Sequence, residues 1–408
     1  MVFTSMEENN NQVKYNSFDD MEFLSFELLK GIFDYGFTVP SRIQNLTIKE
    51  IFDGFDLIAQ SQSGTGKTGA FTIGALSVVN PADKFPQVMV LATTRELATQ
   101  IHTVFSNITK FMDINVQLCI GGTKVKTNNN KDPYKIIRTA QVLVGTPGRI
   151  EDYIRLGAFD PKKLKVFVMD EADALLKEDF IEQIRSIITS LDANTQICVF
   201  SATYPREILE VAGAIMNEPK QILLKREDLT LDLIKQYKIN TKFDQYKFDT
   251  LVDLYKNLLI GQCIIFVNSV GSADDLTSRL ETSGFSVSKI HGSMDTSQRT
   301  NVLRDFRLGL IRVLIATDVL SRGIDVEQIG IVINYDMPRD KAQYVHRIGR
   351  SGRFGKLGVA INFITDRDYR TLGEIERFYR IQIRDMPDFQ TVLSQLSGLK
   401  GFIKLNKD

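Results

Sequence analysis

The sequence of 408 residues contains no tryptophan, only three cysteines and only three histidines. The cysteines (Cys119, Cys198 and Cys263) are isolated in apolar stretches, so they fit neither a disulfide framework nor a paired metal site. The histidines also lack the spacing of metal ligands. These absences favour a protein of a reducing, intracellular compartment.

The sequence also lacks long apolar runs and a net charge. No apolar run approaches the ~20 residues of a membrane-spanning helix, and the acidic, polar N-terminus resembles no targeting peptide. The 50 basic residues balance 50 acidic ones, which argues against nucleic-acid binding through bulk charge but leaves room for a local basic groove. We expect a soluble protein with no membrane association.

The charge balance conceals two halves of opposite sign. Residues 1–216 contain 21 basic and 26 acidic side chains, whereas residues 217–408 contain 29 basic and 24 acidic ones. Such asymmetry indicates two lobes with different tasks.

Short runs rich in valine and isoleucine alternate with amphipathic stretches of helical length. This pattern predicts an α/β protein of two domains, each a mostly parallel sheet with helices on both faces. The predicted strands lie at residues 56–59, 88–91, 116–120, 142–144, 166–169 and 196–200, then at 263–267, 287–290, 313–315, 329–333 and 359–363. We predict a disordered N-terminus over residues 1–16, a first domain over 17–216, a short flexible linker over 217–236 and a second domain over 237–408.

A phosphate-binding loop is predicted after the first strand, where a glycine-rich segment precedes a helical stretch. The glycines let backbone N–H groups turn toward phosphates at a helix N-terminus, Lys67 would reach the terminal phosphates, and Thr68 would hold Mg²⁺. The candidate nucleotide-binding residues of this loop are Ser63, Gly64, Thr65, Gly66, Lys67 and Thr68.

An acidic motif follows the predicted strand at 166–169. Asp170 and Glu171 would lie at the carboxyl end of that strand, where open α/β sheets bind their ligands. Asp170 would hold the metal, largely through water, and Glu171 would orient or deprotonate an attacking water. The alternative is an acidic helix start, because acidic residues favour helix N-termini.

The base of the nucleotide is predicted from residues that precede the phosphate loop. Gln44 can pair through its amide with N6 and N7 of adenine, and Phe37 offers a ring for stacking. We therefore predict ATP as the nucleotide.

Three arginines at a spacing of three, Arg347, Arg350 and Arg353, follow His346 in the second half. They would share one face of a helix, and such a stripe is usually a solvated surface. The alternative is that they supply positive charge to the transition state of phosphoryl transfer. In that case the site is complete only when two domains close, and a single-stranded nucleic acid across both domains would favour closure.

The ordered set of motifs resembles the DEAD-box ATP-dependent RNA helicases, from residue 18 to the C-terminus. The segments that carry the resemblance are Phe37 to Gln44, Ser63 to Thr68, Thr94 to Ala98, Gly121-Gly122, Thr146 to Arg149, Asp170 to Asp173, Ser201-Ala202-Thr203, Ile265 to Asn268, Thr317-Asp318, Arg322 to Asp325 and His346 to Arg353. The resemblance implies two tandem RecA-like domains and an RNA-stimulated ATPase that locally unwinds short duplexes.

The resemblance also implies roles for individual residues. Phe37 and Gln44 would bind adenine, Gly323 and Asp325 the ribose, and Arg350 and Arg353 would be arginine fingers. Asp173, Ser201 and Thr203 would couple the acidic motif to RNA binding. The residues that match RNA-backbone contacts are Thr94, Arg95, Gly122, Thr146, Arg149, Asn268, Arg299, Thr317 and Arg322.

Four residues depart from the family pattern. Ser61 stands in place of a common alanine, Thr93 of a proline, Thr296 of a glutamine and Ser321 of an alanine. We expect none of them to touch the phosphate chemistry, whereas Thr93 and Thr296 bear on how RNA is held.

Within the family, segments 227–236 and 248–255 resemble the eukaryotic translation initiation factor 4A group. We expect a cytoplasmic monomer that binds single-stranded RNA and short duplexes without sequence preference, with a protein scaffold as partner. One alternative is a nuclear paralogue that acts as an ATP-gated RNA clamp in exon-junction, splicing or ribosomal RNA assemblies. Another is a DNA motor, against which stands the lack of a third domain.

Overall fold

The computed structural model of the protein describes residues 14–61, 64–122, 134–203, 206–223, 234–257, 262–318, 329–351 and 358–387. The chain divides into two compact units, Met1–Lys225 and Arg226–Asp408. Each unit contains a seven-stranded sheet, and every strand pair described in the two sheets is parallel. The predicted α/β class with two parallel sheets is confirmed.

The sheet of the first unit has the strand order β3-β4-β2-β5-β6-β1-β7. Its strands are β1 (Leu57–Gln60), β2 (Val88–Leu91), β3 (Val116–Cys119), β4 (Val142–Gly145), β5 (Val166–Asp170), β6 (Gln196–Ser201) and β7 (Lys220–Leu223). Its helices are α1 (Phe26–Asp34), α2 (Arg42–Phe52), α3 (Lys67–Leu76), α4 (Arg95–Ile108), α5 (Lys135–Thr139), α6 (Pro147–Arg155), α7 (Ala172–Leu175), α8 (Glu178–Ser190) and α9 (Arg206–Ile215).

Alternate residues of these strands enter two cores on opposite faces of the sheet. In β5, Val166 and Val168 pack with the helices α1 to α4, whereas Phe167 and Met169 pack with α5 to α9. Both faces are buried, so the strands are apolar at successive positions, as parallel sheets require. This two-sided burial explains why short unbroken valine and isoleucine runs predicted these strands.

The second unit repeats this architecture with the strand order β10-β11-β9-β12-β13-β8-β14. Its strands are β8 (Ile234–Lys242), β9 (Cys263–Phe266), β10 (Val287–Ile290), β11 (Val313–Ala316), β12 (Ile331–Asn334), β13 (Gly358–Thr365) and β14 (Arg384–Asp385). Its helices are α10 (Lys247–Asn257), α11 (Val270–Thr282), α12 (Thr296–Arg307), α13 (Lys341–Ile348) and α14 (Tyr369–Tyr379). Three apolar clusters pack these helices against the two faces of the sheet.

The structure differs from the predicted boundaries at two places. The predicted linker, residues 217–236, includes all of β7 and the first three residues of β8, because both strands pair within their own sheets. At the N-terminus, residues 1–13 lie outside the described part. Lys14 and Tyr15, predicted to be disordered, donate their backbone N–H groups to the Asn45 side chain at 2.8 and 3.2 Å.

Among the helices of the described ranges, none combines the length and the apolar character needed to cross a membrane.

Candidate functional site

The carboxyl ends of the parallel strands lie along one edge of the first sheet, where open α/β sheets bind ligands. The predicted nucleic-acid residues follow β3, β4 and β2, which are neighbours in the sheet, and the predicted nucleotide residues follow or flank β5, β6 and β1, which are also neighbours. The fold therefore groups the two predicted sets on adjoining halves of one edge.

The phosphate loop connects β1 to α3. Gly66 precedes the first residue of α3 with φ 101°, a left-handed conformation that favours glycine, and no side chain caps this helix. The ammonium group of Lys67 donates to the carbonyl oxygen of Ser61. Gln62 and the predicted Ser63 lie outside the described residues. The loop has the strand–glycine–helix form that binds phosphate at a helix N-terminus.

The two predicted adenine-binding residues lie beside this loop. Gln44, on α2, accepts from the Ser41 N–H at 2.8 Å and donates to the Gly66 carbonyl at 3.3 Å. A methyl group added to Gly69 would lie 2.6 Å from Nε2 of Gln44 and 2.9 Å from the ring of Phe37. Thus the glycine lets both side chains approach the first turn of α3, while their contact with adenine stays a prediction.

The acidic motif forms a sharp turn at the end of β5. Asp170 is the last residue of the strand, and Glu171 has a left-handed conformation with φ 55° before α7 begins. The Glu171 N–H donates to Oδ1 of Asp170 at 2.9 Å. Burial, and then the charge of Glu171, raise the pKa of Asp170 well above its ordinary value, and the Lys67 ammonium opposes this effect. Glu171 is the N-cap of α7 and Asp173 lies in its first turn, so the motif is also an acidic helix start, and its metal-binding and catalytic roles stay predictions.

These groups fit a magnesium ion. Thr68 in the first turn of α3 and Asp170 at the end of β5 offer oxygen ligands, which Mg²⁺ prefers. A divalent cation would also offset the cost of keeping the charged form of Asp170 buried.

Asp173, Ser201 and Thr203 form a hydrogen-bonded cluster. The hydroxyls of Ser201 and Thr203 donate to the two carboxylate oxygens of Asp173 at 2.7 and 2.9 Å, and all three residues are buried. The Ser61 N–H also donates to the Ser201 carbonyl at 3.1 Å. The cluster therefore links the acidic turn, the end of β6 and the start of the phosphate loop, while its coupling to RNA binding stays a prediction.

Two of the residues that depart from the family pattern lie nearer to the phosphate chemistry than we expected. The Ser61 carbonyl accepts from Lys67, and the Ser61 hydroxyl is hydrogen-bonded to Thr65. The Thr93 hydroxyl donates to Oε2 of Glu171 at 3.2 Å. The expectation that these substitutions leave that region untouched was wrong, because Ser61 lies within the phosphate loop itself and β2, which precedes Thr93, is aligned with β5.

The predicted RNA-contacting residues of the first unit lie at neighbouring strand ends. Thr94 caps α4 by accepting from the Leu97 N–H at 3.1 Å. Arg95 lies against the glycine turn after β3, where Gly122 has φ 83°. After β4, Thr146 precedes α6, and the guanidinium of Arg149 lies 5.6 Å from the centre of the Tyr153 ring. The sheet brings these residues together, although they are distant in sequence.

In the second unit, Arg347 is fully buried rather than part of a solvated stripe. It donates to both carboxylate oxygens of Asp318 at 2.7 and 3.0 Å and to the Asn268 side chain at 2.7 Å. Arg350 lies past the end of α13, is also buried, and donates from Nε to the His346 carbonyl at 3.2 Å. For Arg347 and Arg350 the interpretation as a solvated stripe was therefore wrong. Arg347 joins segments that follow neighbouring strands.

The other predicted residues of the second unit lie near the same strand ends. Asn268 and Thr317 follow β9 and β11, which are neighbours, and Arg299 is a buried residue of α12. The amide of Asn268 also donates to the Met337 carbonyl at 2.8 Å. Four predicted residues of the second unit lie outside the described part of the chain: Arg322, Gly323, Asp325 and Arg353.

Comparisons with known proteins agree with this arrangement. The DEAD/DEAH box helicase family matches residues 41–211, and the helicase conserved C-terminal domain matches residues 246–355. The chain is 46% identical over 384 residues to the ATP-dependent RNA helicase eIF4A of Candida glabrata, covering 94% of this chain and 95% of the relative. It is 46% identical over 383 residues to the eukaryotic initiation factor 4A of Caenorhabditis elegans, covering 94% of each.

Among solved structures, the chain is similar to Saccharomyces cerevisiae Dbp5 bound to RNA and ADP BeF3. The TM-score is 0.87 at 38% sequence identity, covering 94% of this chain and 99% of that one. The likeness therefore extends over both units and over nearly the whole of each relative.

Proposed function

The chain belongs to the DEAD/DEAH box helicase family, and from this premise we propose that it is an ATP-dependent RNA helicase of the translation initiation factor 4A group. One observation carries the proposal. The phosphate loop with Lys67, the acidic turn with Asp170 and Glu171, and the segment after β6 meet at one sheet edge. That edge supplies the groups that hydrolysis of a nucleoside triphosphate requires.

In the proposed reaction, Lys67 binds the terminal phosphates and Glu171 orients and takes the proton of the attacking water. Mg²⁺, when bound through Thr68 and Asp170, would neutralise charge on the phosphate oxygens. Phe37 and Gln44 select adenine beside the loop. The described side chains thus divide into those that bind the nucleotide and one that acts on water.

RNA is proposed to lie along the half of the edge formed by β3, β4 and β2. Hydroxyl and glycine residues at Thr94, Gly122 and Thr146 permit close approach of a phosphodiester, and Arg95 and Arg149 add positive charge. Such contacts read the backbone and not the bases, so they support binding without sequence preference. When these residues bind one strand of a short duplex, that strand is separated from its complement, which unwinds the duplex locally.

Residues of the second unit complete the proposal. Asn268, Arg299, Thr317 and Arg322 are proposed to contact the same RNA backbone, and Gly323 and Asp325 the ribose of ATP. Arg350 and Arg353 are proposed to stabilise charge on the transferred phosphoryl group. Their guanidinium groups stay charged at any physiological pH, as this role requires.

The Glu171→Gln variant tests the assignment. Glutamine keeps the shape of the glutamate side chain but cannot act as a base. We therefore expect RNA-stimulated ATP hydrolysis to fall roughly several hundredfold, while ATP affinity stays within about twofold of that of the natural protein. The measurement is steady-state hydrolysis with and without a single-stranded RNA oligomer, together with equilibrium binding of a fluorescent ATP analogue.

Glu182→Gln, at an exposed position of α8 where the carboxylate pairs with Arg185 at 3.3 Å, is the matched control and should behave as the natural protein. Near-normal turnover of Glu171→Gln would contradict the proposed base. Tight nucleotide-dependent RNA binding by the natural protein with negligible turnover would instead indicate the ATP-gated clamp.

The cellular setting is also part of the proposal. Relatives named initiation factor 4A support a role in translation initiation. We propose with it a cytoplasmic location, a protein scaffold as activating partner and a monomeric chain. Fluorescence imaging and affinity purification from cells test this point. Recovery of cap-binding initiation components supports it, and a nuclear signal with exon-junction or ribosome-assembly proteins contradicts it.

A further inference from the structure

Thr93 contacts the proposed catalytic base directly. Its hydroxyl donates to Oε2 of Glu171 at 3.2 Å, across 78 residues of sequence. The family pattern has proline at this position, and a proline side chain has no hydrogen to donate. The contact is therefore a property of this chain's own residue.

The parallel alignment of two strands fixes the contact. β2 pairs with β5 so that Leu91 lies opposite Met169. Continuing this register by two residues places Thr93 opposite Glu171. The Ala92 N–H donates to the Gly145 carbonyl at 2.9 Å on one side, and the Glu171 N–H donates to Asp170 at 2.9 Å on the other. Backbone hydrogen bonds thus hold the chain at Glu171 and next to Thr93.

The hydrogen bond restricts a side chain that has three rotatable bonds. Glu171 is only 7% exposed, and the Thr93 hydroxyl occupies Oε2. A donor on one carboxylate oxygen limits the rotation of the whole carboxylate and leaves Oε1 available as an acceptor. The orientation of a general base toward the proton that it accepts changes the rate of reaction measurably.

We propose that Thr93 is a positioning residue for Glu171. The Thr93 hydroxyl holds the Glu171 carboxylate in the orientation that accepts the proton of the attacking water. The inference rests on the proposed function, in which Glu171 is the base. The proton moves from water to Glu171, and the Thr93 hydroxyl keeps its own proton throughout.

The test compares Thr93→Val, Thr93→Ser and Thr93→Pro in the full chain by steady-state ATP hydrolysis at saturating RNA. Valine has nearly the shape of threonine without the donor, so kcat should fall about fivefold with KM for ATP within about twofold. Serine keeps the donor and should restore kcat to near the natural value. Proline should resemble valine. The matched control is Thr103→Val, at an exposed site of α4 where the hydroxyl bonds only its own helix at 2.9 Å.

A double-variant cycle separates positioning from a general structural effect. Thr93→Val should add nothing to the loss caused by Glu171→Gln in single-turnover assays, because the hydroxyl acts through that carboxylate. An unchanged kcat in Thr93→Val, a serine variant as slow as valine, or losses that multiply in the double variant would each overturn the inference.

Different assay results would contradict the proposed function rather than the role of Thr93. If the natural protein shows no RNA-stimulated hydrolysis, or if Glu171→Gln retains full turnover, the function itself is wrong. If both behave as expected and Thr93→Val is normal, only the positioning role falls.

Discussion

Arg347 carries its positive charge inside the second unit, where its side chain is fully buried. Four hydrogen bonds of 2.7 to 3.0 Å join its guanidinium to Asp318, Asn268 and the Asp336 carbonyl. The guanidinium also lies 5.3 Å from the centre of the Phe266 ring. A planar fork of donors suits such a site better than a lysine, because it can meet several acceptors at once. We conclude that Arg347 is structural, although it shares a motif with the proposed arginine fingers.

Arg347→Met tests this conclusion. The substitution leaves the Asp318 carboxylate and the Asn268 amide without their donor, so the free energy of unfolding should fall by about 3 kcal/mol. Urea denaturation followed by circular dichroism measures the change. Arg370→Met is the matched control, because Arg370 is highly exposed and its pair with Glu374 at 3.2 Å lies on the surface. Equal effects of the two substitutions would contradict a structural role for Arg347.

Elements differ in how far the sequence predicts them. All eleven predicted strands overlap observed ones, because buried parallel strands are continuous apolar runs. β7, β8 and β14 were missed. β7 and β14 are edge strands, and β8, which lies between β13 and β14, buries only Ile234, Tyr237 and Thr241 among its nine residues. Polar residues on exposed faces hide such strands from a search for apolar runs.

The packing of α2 against α3 offers a test at this scale. Gly69→Ala improves helix propensity but places a methyl group 2.6 Å from Gln44 and 2.9 Å from Phe37. The displaced side chains should weaken ATP binding about fivefold or more while the free energy of unfolding changes little. Isothermal titration with an ATP analogue measures the affinity. Gly373→Ala in α14, where the added methyl has no neighbour nearer than 3.8 Å, should leave affinity unchanged.

At the scale of the whole molecule, the sequence predicted where the candidate site residues lie along the chain better than which of them contact one another. The phosphate loop and the acidic motif were found because their residue types and spacing follow from phosphate binding. The contact between Thr93 and Glu171 was missed, since it depends on which strands are neighbours and in what register. The burial of Arg347 was missed for a similar reason, because a spacing of three defines a face but not what covers it.

The three free thiols report on the integrity of the two units. Burial raises the pKa of Cys119 and Cys263 to about 12 and that of Cys198 well above its ordinary value. Because the thiolate is the reactive form, iodoacetamide at pH 8 should leave all three unmodified in the folded protein and modify all three in urea. Peptide mass spectrometry after a urea series should show Cys119 and Cys198 reacting together and Cys263 on its own curve, since each unit has its own core. Rapid labelling without urea would contradict this expectation.

The order of the first sheet also has a consequence for synthesis of the chain. β1, the strand that leads into the phosphate loop, precedes the other six strands of its sheet in the sequence, yet its two neighbours are the last two. Leu57 pairs with Cys198 on one side and with Lys220 on the other. The nascent chain therefore cannot pair both sides of β1 until residue 223 has emerged, and such non-local pairing is slow to form. Some 160 residues are thus synthesised between the loop and the last strand that flanks it.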